Sequence, residues 1–402
     1  MSRTSHMSGG IVRRIAAATP PDRDRAIDAL RGLAILGVVL GHWLVTAVSV
    51  DSGTVHNASP LGYLPQLAPV SWLLQTLAVF FFVGGLLSVR SYASARDRGV
   101  TYPRWFAART RRLFLPVVVL LLVWALVATL LLVDGAGVPT VRALVKLALA
   151  PLWFLLVFTG LTAATPLVRR LHPGWPALVV AAVDLARFGL GGPAELGWLN
   201  VAAGWLVPFC LGAAWARGEL RSRAAGWMLL LGGATATAGL VWLAGYPATM
   251  VGVPGAPVSN LNPPTLVAVT FGLAQCGGAL LLLGPLRRIL ARPRAWAAVA
   301  LLNLSAMTVF LWHQTAMLAV TATGLFAGQP LPGLLTAPDS ATWVLSRLAW
   351  LPVFGLALLV CRAAFHRWER GPEISAARAA RVLPVAATAA PSSAAPAAPA
   401  SR

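Results

Sequence analysis

Ten apolar runs, each long enough to cross a bilayer, divide this chain, and the arginines gather between alternate runs. The runs cover residues 26–49, 70–89, 113–133, 149–168, 175–191, 199–216, 225–245, 264–285, 297–324 and 343–363. A helix needs about 20 apolar residues to span a hydrocarbon core about 30 Å thick. With the N-terminus inside, every basic residue of the 32 except Arg142, Lys146, Arg187 and Arg347 falls in an inside segment. That asymmetry is the positive-inside signature, and nine or eleven helices would scramble it. The spacing therefore predicts an all-α integral membrane fold. It is a polytopic bundle of about ten transmembrane helices with both termini cytoplasmic.

Charge then separates the function classes. Only 11% of residues are charged, against about 25% in a soluble domain. The formal charge of +20 invites a nucleic-acid reading, but the basic residues lie in short clusters between apolar runs without aromatic interleaving. That pattern is topological, and nucleic acid is excluded as a partner. The lipid bilayer is the expected surrounding, crossed many times. Residues 1–25 read as a disordered cytoplasmic leader without an apolar signal core, 26–370 as the transmembrane domain, and 371–402 as an Ala/Pro-rich disordered tail. Cys210, Cys276 and Cys361 lie singly in apolar runs, as small core residues do. No His/Cys/Asp/Glu spacing suits zinc, so no metal is expected.

The first run carries the densest chemistry. It reads DALRGLAILGVVLGHW from Asp28 to Trp43. Asp28 and Arg31 are neighbours at i,i+3 on a helix. Arg31 and His42 are eleven apart, which returns to the same face about 16 Å further along. One stripe thus runs from charges at the water edge to an imidazole inside the membrane, where ionisable groups are functional candidates. Imidazole, with an ordinary pKa near about 6.5, suits general-base work. A helix–helix hydrogen bond is the bland alternative. His313, in NLSAMTVFLWHQTAML, is a second buried histidine, and there Asn303 and Gln314, eleven apart, would share a face. It could wall the same cavity or merely bond a neighbouring helix.

Two further segments stand out. Loop 90–112 holds seven arginines and one acid, Asp97. Most of it reads as anchoring, but Arg109 and Arg112 abut the core and are suited to a polyanionic cytosolic ligand. Asp184 and Arg187 read as an internal pair at i,i+3. The outside loop Tyr246–Leu266 carries turn-forming Gly and Pro with Asn260 and Asn262, and reads as a lid, an acceptor-recognition loop or a rigid connector.

These residues resemble a known family, the acyltransferase-3 family of integral-membrane O-acyltransferases. Asp28, Leu30, Arg31 and Gly32 match its Asp-x-Leu-Arg-Gly opening, and Arg31 with His42 its Arg-x10-His pair. Arg109 and Arg112, followed by Pro116, match an Arg-x-x-Arg before the third helix. Leu152–Leu155 match Leu-Trp-Phe-Leu, and Ser305, Leu311, Trp312 and His313 match a late Ser-x5-Leu-Trp-His. Pro151 and Phe310 depart from the polar residue and the tyrosine that members often carry there. The Met-Val-Gly-x-Pro-Gly and Asn-Pro-Pro pieces look like an actinobacterial-type branch.

The resemblance implies transfer of an acyl group from cytosolic acyl-CoA, acetyl-CoA included, to a hydroxyl of a carbohydrate, cell-envelope or secreted-metabolite acceptor. Acyl-CoA is then a donor substrate, and no permanently bound cofactor is expected. The catalytic expectations are His42 as general base, with Arg31 and Asp28. Arg109 and Arg112 are expected to bind the donor, and His313, Trp153, Asn260 and Asn262 the acceptor. A direct transfer and an acyl-histidine intermediate both remain open. The competing class is a proton-coupled transporter or flippase using the His42/Arg31 stripe.

Overall fold

The first apolar run becomes helix α1, Arg25–Val45. Asp24 caps it: its carboxylate accepts from the Ala26 amide at 3.1 Å, satisfying one of the unpaired donors of a first helical turn. The computed structural model describes residues 10, 12–51, 54–324 and 331–368. The tail 371–402 lies outside the described residues. Within the leader, residues 12–17 are helical, and Thr19 accepts from the Trp296 indole at 2.7 Å.

Helix α1 stops four residues short of the expected 49. Thr46 is extended, and the chain turns into an antiparallel hairpin, β1 (Ala47–Asp51) on β2 (Thr54–Ala58), with Ala47 opposite Ala58. Val and Thr supply the β-branched residues that favour such a ribbon. This corrects the end of the expected run 26–49. The correction matters because it leaves His42 in the last turn of α1, beneath the hairpin.

Helix α2 (Ala68–Leu74) and helix α3 (Leu77–Asp97) meet at a break over Gln75 and Thr76. The break lies against α1 at Gly37 and Gly41. A Cβ on Gly37 would come within 2.5 Å of Thr76 Oγ1, and one on Gly41 within 3.4 Å of the Leu74 carbonyl. Small residues four apart let backbones approach this closely in a membrane helix. Thr76 Oγ1 fastens the contact by donating to the Ala34 carbonyl at 2.7 Å.

The remaining α-helices of more than four residues are α4 (Tyr102–Val133), α5 (Val138–Leu149), α6 (Leu152–Ala163), α7 (Gly174–Asp184), α8 (Leu199–Arg217), α9 (Arg223–Leu243) and α10 (Leu266–Leu290). They are followed by α11 (Pro293–Leu304), α12 (Ala306–Thr323) and α13 (Ala341–Phe365). The molecule is largely helical, a polytopic helical bundle. Among the described residues eight spans are long and apolar enough to cross a membrane, or nine counting α11 with α12 as one bent span. The expected ten shrink for physical reasons. Run 175–191 becomes α7 plus a π-turn over Leu185–Gly189; α7 alone is roughly 17 Å long, short of a hydrocarbon core. Run 149–168 is shifted, since the span covers Val138–Ala163 and its helix is interrupted at Ala150 and Pro151. Run 297–324 is broken at Ser305 with a 72° bend.

The largest apolar core joins α1, α3, α6, α8 and α12 through Ile35, Phe81, Phe154, Phe209 and Leu311. A second joins α1, α3, α8 and α10 through Leu30, Phe82, Trp215 and Cys276. The outer faces stay apolar: Leu122, Leu126 and Val133 of α4, Trp242 and Leu243 of α9, and Val360 of α13 are all exposed. Contiguous apolar surface of this kind suits lipid contact. The protein is a multi-pass membrane protein.

Asp184 ties this frame together. Its carboxylate accepts from Asn200 Nδ2 at 3.0 Å, Tyr246 Oη at 3.0 Å and the Leu266 amide at 2.7 Å. The expected Asp184–Arg187 ion pair is absent among the described salt bridges. Arg187 instead lies over the Phe188 ring at 4.7 Å. Burial and the Asp184 carboxylate push the Tyr246 phenol upward, which keeps it a donor.

Candidate active site

Two polar regions sit at opposite ends of α1. The first surrounds Asp28. Its carboxylate accepts from Arg23 Nε at 2.6 Å and Arg31 Nη2 at 3.1 Å. Arg31 Nε donates to Asn303 Oδ1 at 2.7 Å, and Asn303 Nδ2 donates back to the Asp28 carbonyl at 2.9 Å. Asp28 and Asn303 thus fix the Arg31 guanidinium from two sides. Among the described residues Arg31 Nη1 has no hydrogen-bond partner.

Arg109 reaches the same corner from α4. It lies within electrostatic reach of Arg112 and Arg31, donates to Ser88 Oγ at 3.4 Å and lies over Trp105 at 5.6 Å. Arg112 is exposed. Four guanidiniums, those of Arg23, Arg31, Arg109 and Arg112, therefore gather where, among the described residues, Asp28 is the one carboxylate bonded to any of them. Guanidinium forks with free N–H groups match phosphate oxygens well.

The second region is centred on His42. His313 Nε2 lies 3.1 Å from His42 Nδ1, with ring centroids 5.0 Å apart. His313 Nδ1 lies 2.6 Å from the Phe310 carbonyl. A carbonyl only accepts, so His313 Nδ1 carries the hydrogen. In a neutral imidazole the other nitrogen then accepts. His313 Nε2 must therefore receive a hydrogen from His42 Nδ1, which leaves His42 Nε2 with a free lone pair. The tautomer of one histidine is set by the backbone of α12 and passed to the other.

The frame behind the pair is also polar. The Trp43 indole donates to the His313 carbonyl at 2.9 Å. Arg347, 1% exposed, donates to the carbonyls of Trp43 at 2.6 Å, Thr46 at 2.6 Å and Gly333 at 2.8 Å. Those are orphan carbonyls of the end of α1 and of a turn. A buried guanidinium thus locks the helix end that carries His42.

In front of the pair lies a cavity of about 180 Å³. His42 lines it; His313, fully buried, does not. Its walls come from the last turn of α1, the α2–α3 break, β2, the start of α6, Phe310 and the loop around Gly252. No charged side chain lines it.

The other expected residues fall as follows. Trp153 is 39% exposed, lines the cavity and packs on Trp205 at 6.1 Å. Asn260 is fully buried and spent: it donates to the carbonyls of Pro247 and Thr249 and accepts from Thr265 Oγ1 at 2.8 Å. It closes its own loop and does not line the cavity. Asn262 is exposed and also lies outside the cavity lining. Asn303 and Gln314 do not share one helix face, because the bend at Ser305 separates them. Among the described residues no group of three or more His, Cys, Asp or Glu could hold a metal ion. Sequence reasoning did not assign Arg347 or Gln75 to the site. Arg347 left one signal, as a basic residue outside the inside segments.

No curated protein and no solved structure gives a significant match to this chain. A family model described as an acyltransferase domain, of the acyltransferase-3 type, matches residues 24–366. That stretch holds both polar regions and the cavity, and it is most of the chain. With an apolar-surfaced helical bundle around them, these features agree with the sequence motifs: the protein belongs to the acyltransferase-3 family and is a membrane acyltransferase.

Proposed function

We propose that this protein transfers an acyl group from acyl-CoA to a hydroxyl of a carbohydrate, cell-envelope or secreted-metabolite acceptor, with His42 as general base. The observation that carries this reading is the tautomer chain from the Phe310 carbonyl through His313 to His42. It supports a free basic nitrogen, His42 Nε2, at the wall of a cavity. The hydroxyl oxygen attacks the thioester carbonyl carbon as His42 Nε2 takes the hydroxyl proton. The tetrahedral intermediate then re-forms its C=O bond and expels the thiolate, which takes the proton back from His42. The products are an ester and free CoA.

Arg31, Arg109 and Arg112 hold the donor's phosphates at the other end of α1, the cytosolic end by the distribution of arginines. Asp28 and Asn303 position Arg31 there. The roughly 16 Å between Arg31 and His42 along the helix is spanned by the donor's pantetheine arm. The acceptor comes from the hairpin side, where the cavity walls are loops. With run 175–191 counted as a short crossing, the ten-segment topology keeps both termini on the cytosolic side.

The test is release of free thiol from acetyl-CoA by the purified protein in detergent, with octyl glucoside as a hydroxyl acceptor. His42→Ala should lower kcat by about 10²–10⁴-fold, the usual range for a general base, while acetyl-CoA binding measured by calorimetry stays within about threefold. Full transfer by a correctly folded His42→Ala protein would overturn the assignment.

A further inference from the structure

The cavity in front of His42 contains a second polar group that the residues discussed so far leave unused. Gln75 sits at the α2–α3 break, is 6% exposed and lines the cavity. Its backbone is held at both ends: the amide donates to the Ser71 carbonyl at 3.0 Å, and the carbonyl accepts from Gln275 Nε2. Its side chain has no hydrogen-bond partner among the described residues, and Oε1 is buried without one. A buried amide oxygen left unpaired is costly, so a native protein that retains one needs a reason. The close approach at Gly37 and Gly41 explains its placement. It brings Leu74 and Thr76, which flank Gln75, onto the face of α1 one turn below and beside His42.

The reaction has one electrostatic demand that His42 cannot meet. When the hydroxyl adds to the thioester, an electron pair moves onto the carbonyl oxygen, and His42 is occupied with the hydroxyl proton. No cation lines the cavity to stabilise that oxygen. Thr76 Oγ1 is committed to the Ala34 carbonyl, and Asn57 is exposed at the mouth. The Gln75 amide is the buried side-chain amide in the lining with free N–H donors. Resting on the acyl-transfer reading above, we infer that Gln75 is a catalytic residue whose amide donates to the thioester carbonyl oxygen and stabilises the oxyanion of the tetrahedral intermediate. The substrate group it takes is the acyl carbonyl, not the acceptor. Thr46, also buried and lining the cavity one turn beyond His42, stands on the same wall as a hydroxyl donor.

The experiment compares wild type, His42→Ala, Gln75→Met and Gln75→Glu in detergent, each with a thermal unfolding curve. It measures thiol release from acetyl-CoA with octyl glucoside as acceptor. Loss of one such donor lowers kcat by about 10²–10³-fold. Gln75→Met should show that loss, with the KM of both substrates changed less than about threefold. Gln75→Glu keeps the shape but presents a carboxylate to the developing charge, so it should be at least as slow. Activity retained in Gln75→Glu would mean that the group accepts rather than donates, and would overturn the inference. So would a raised acceptor KM at unchanged kcat in Gln75→Met, which would make it an acceptor-binding group. Should wild type release no thiol, or His42→Ala release it at the wild-type rate, the acyl-transfer reading itself falls and takes this inference with it. Should both controls behave and Gln75→Met keep full kcat, this inference alone falls.

Discussion

The two ends of α1 hold the two polar regions of the site, and they are built on opposite principles. At the Arg31 end charge is concentrated: four guanidiniums gather around the Asp28 carboxylate, and the side chains there stay partly accessible. At the His42 end charge is kept out of the cavity, and the one nearby guanidinium, Arg347, is buried against carbonyls behind the helix. The difference suits the two partners of an acyl transfer. A phosphorylated donor tail needs cations in a medium where they can exchange counterions. Proton transfer and a developing oxyanion need neutral, preorganised groups away from water. Placing the two demands on one rigid helix fixes their separation without a loop in between.

The comparison breaks first at His313. If the His42 end works by tautomer control, His313→Ala should leave His42 free to rotate and lower kcat by about 10²-fold, in the range of general-base effects. His313→Gln keeps an acceptor oxygen for His42 Nδ1–H and should recover part of that loss. Neither change should move the KM for acetyl-CoA by more than about threefold, because the proposed site for the donor's phosphates is at the other end. A matching loss in KM, or equal loss in both variants, would show that His313 serves packing rather than orientation.

A smaller effect should separate the Arg31 end. Arg109→Ala should raise the KM for acetyl-CoA by about tenfold with kcat nearly unchanged, as removal of ground-state binding does. The wild-type KM should rise between 0.05 and 0.5 M salt (both about), and the variant's rise should be shallower, since exposed charges are screened over roughly 10 Å at 0.1 M. The His313 variants should keep the wild-type salt response. A salt response lost in His313→Ala instead would mean that the two ends are not separate.

The same contrast governs what could be read from the chain beforehand. The Arg31 end was legible because its logic is local: Asp28, Arg31 and His42 lie on one helix whose geometry fixes their relation. The Asn303 brace and the guanidiniums of Arg109 and Arg112 come from other helices. The His42 end draws on β2, the α2–α3 break, α6, α12 and a loop near Gly252, so His42, His313 and Trp153 could be named but not joined, and Gln75 and Arg347 were not assigned to it. His42 and His313 were both singled out, yet their 3.1 Å contact depends on a bend at Ser305. No proline or glycine marks that bend, since NLSAM reads as continuous helix. Hydropathy finds apolar length and is blind to breaks inside it, which is why the runs at 149–168 and 175–191 shifted or shrank. Asn260 was misleading for a related reason. A polar residue in an ordered loop can face a ligand or hold the loop, and only the partners decide; here they are Pro247, Thr249 and Thr265.

The smallest effect lies at the rim of the Arg31 end. Partial burial works against the charge of Asp24, but Arg287 and the amides of Ala26 and Ile27 hold its carboxyl below the usual carboxylate range. Its folded pKa lies under its unfolded one, near about 3.9. Its stabilisation is therefore complete above about pH 5 and is lost as pH falls through the unfolded and then the folded pKa. The Arg287 partner is 56% exposed, so solvent screening keeps the ion-pair part under about 1 kcal/mol. Asp24→Asn should keep the helix cap and lose only the charge. The thermal midpoint of the variant should run slightly below wild type at pH 7, and the two should converge by about pH 3. Acetyl-CoA KM and kcat should match wild type at pH 7, because Asp24 braces the start of α1 without joining the Asp28–Arg31–Asn303 bonds. A fall in donor affinity instead would extend the phosphate-binding end of the helix by one further turn, out to its cap.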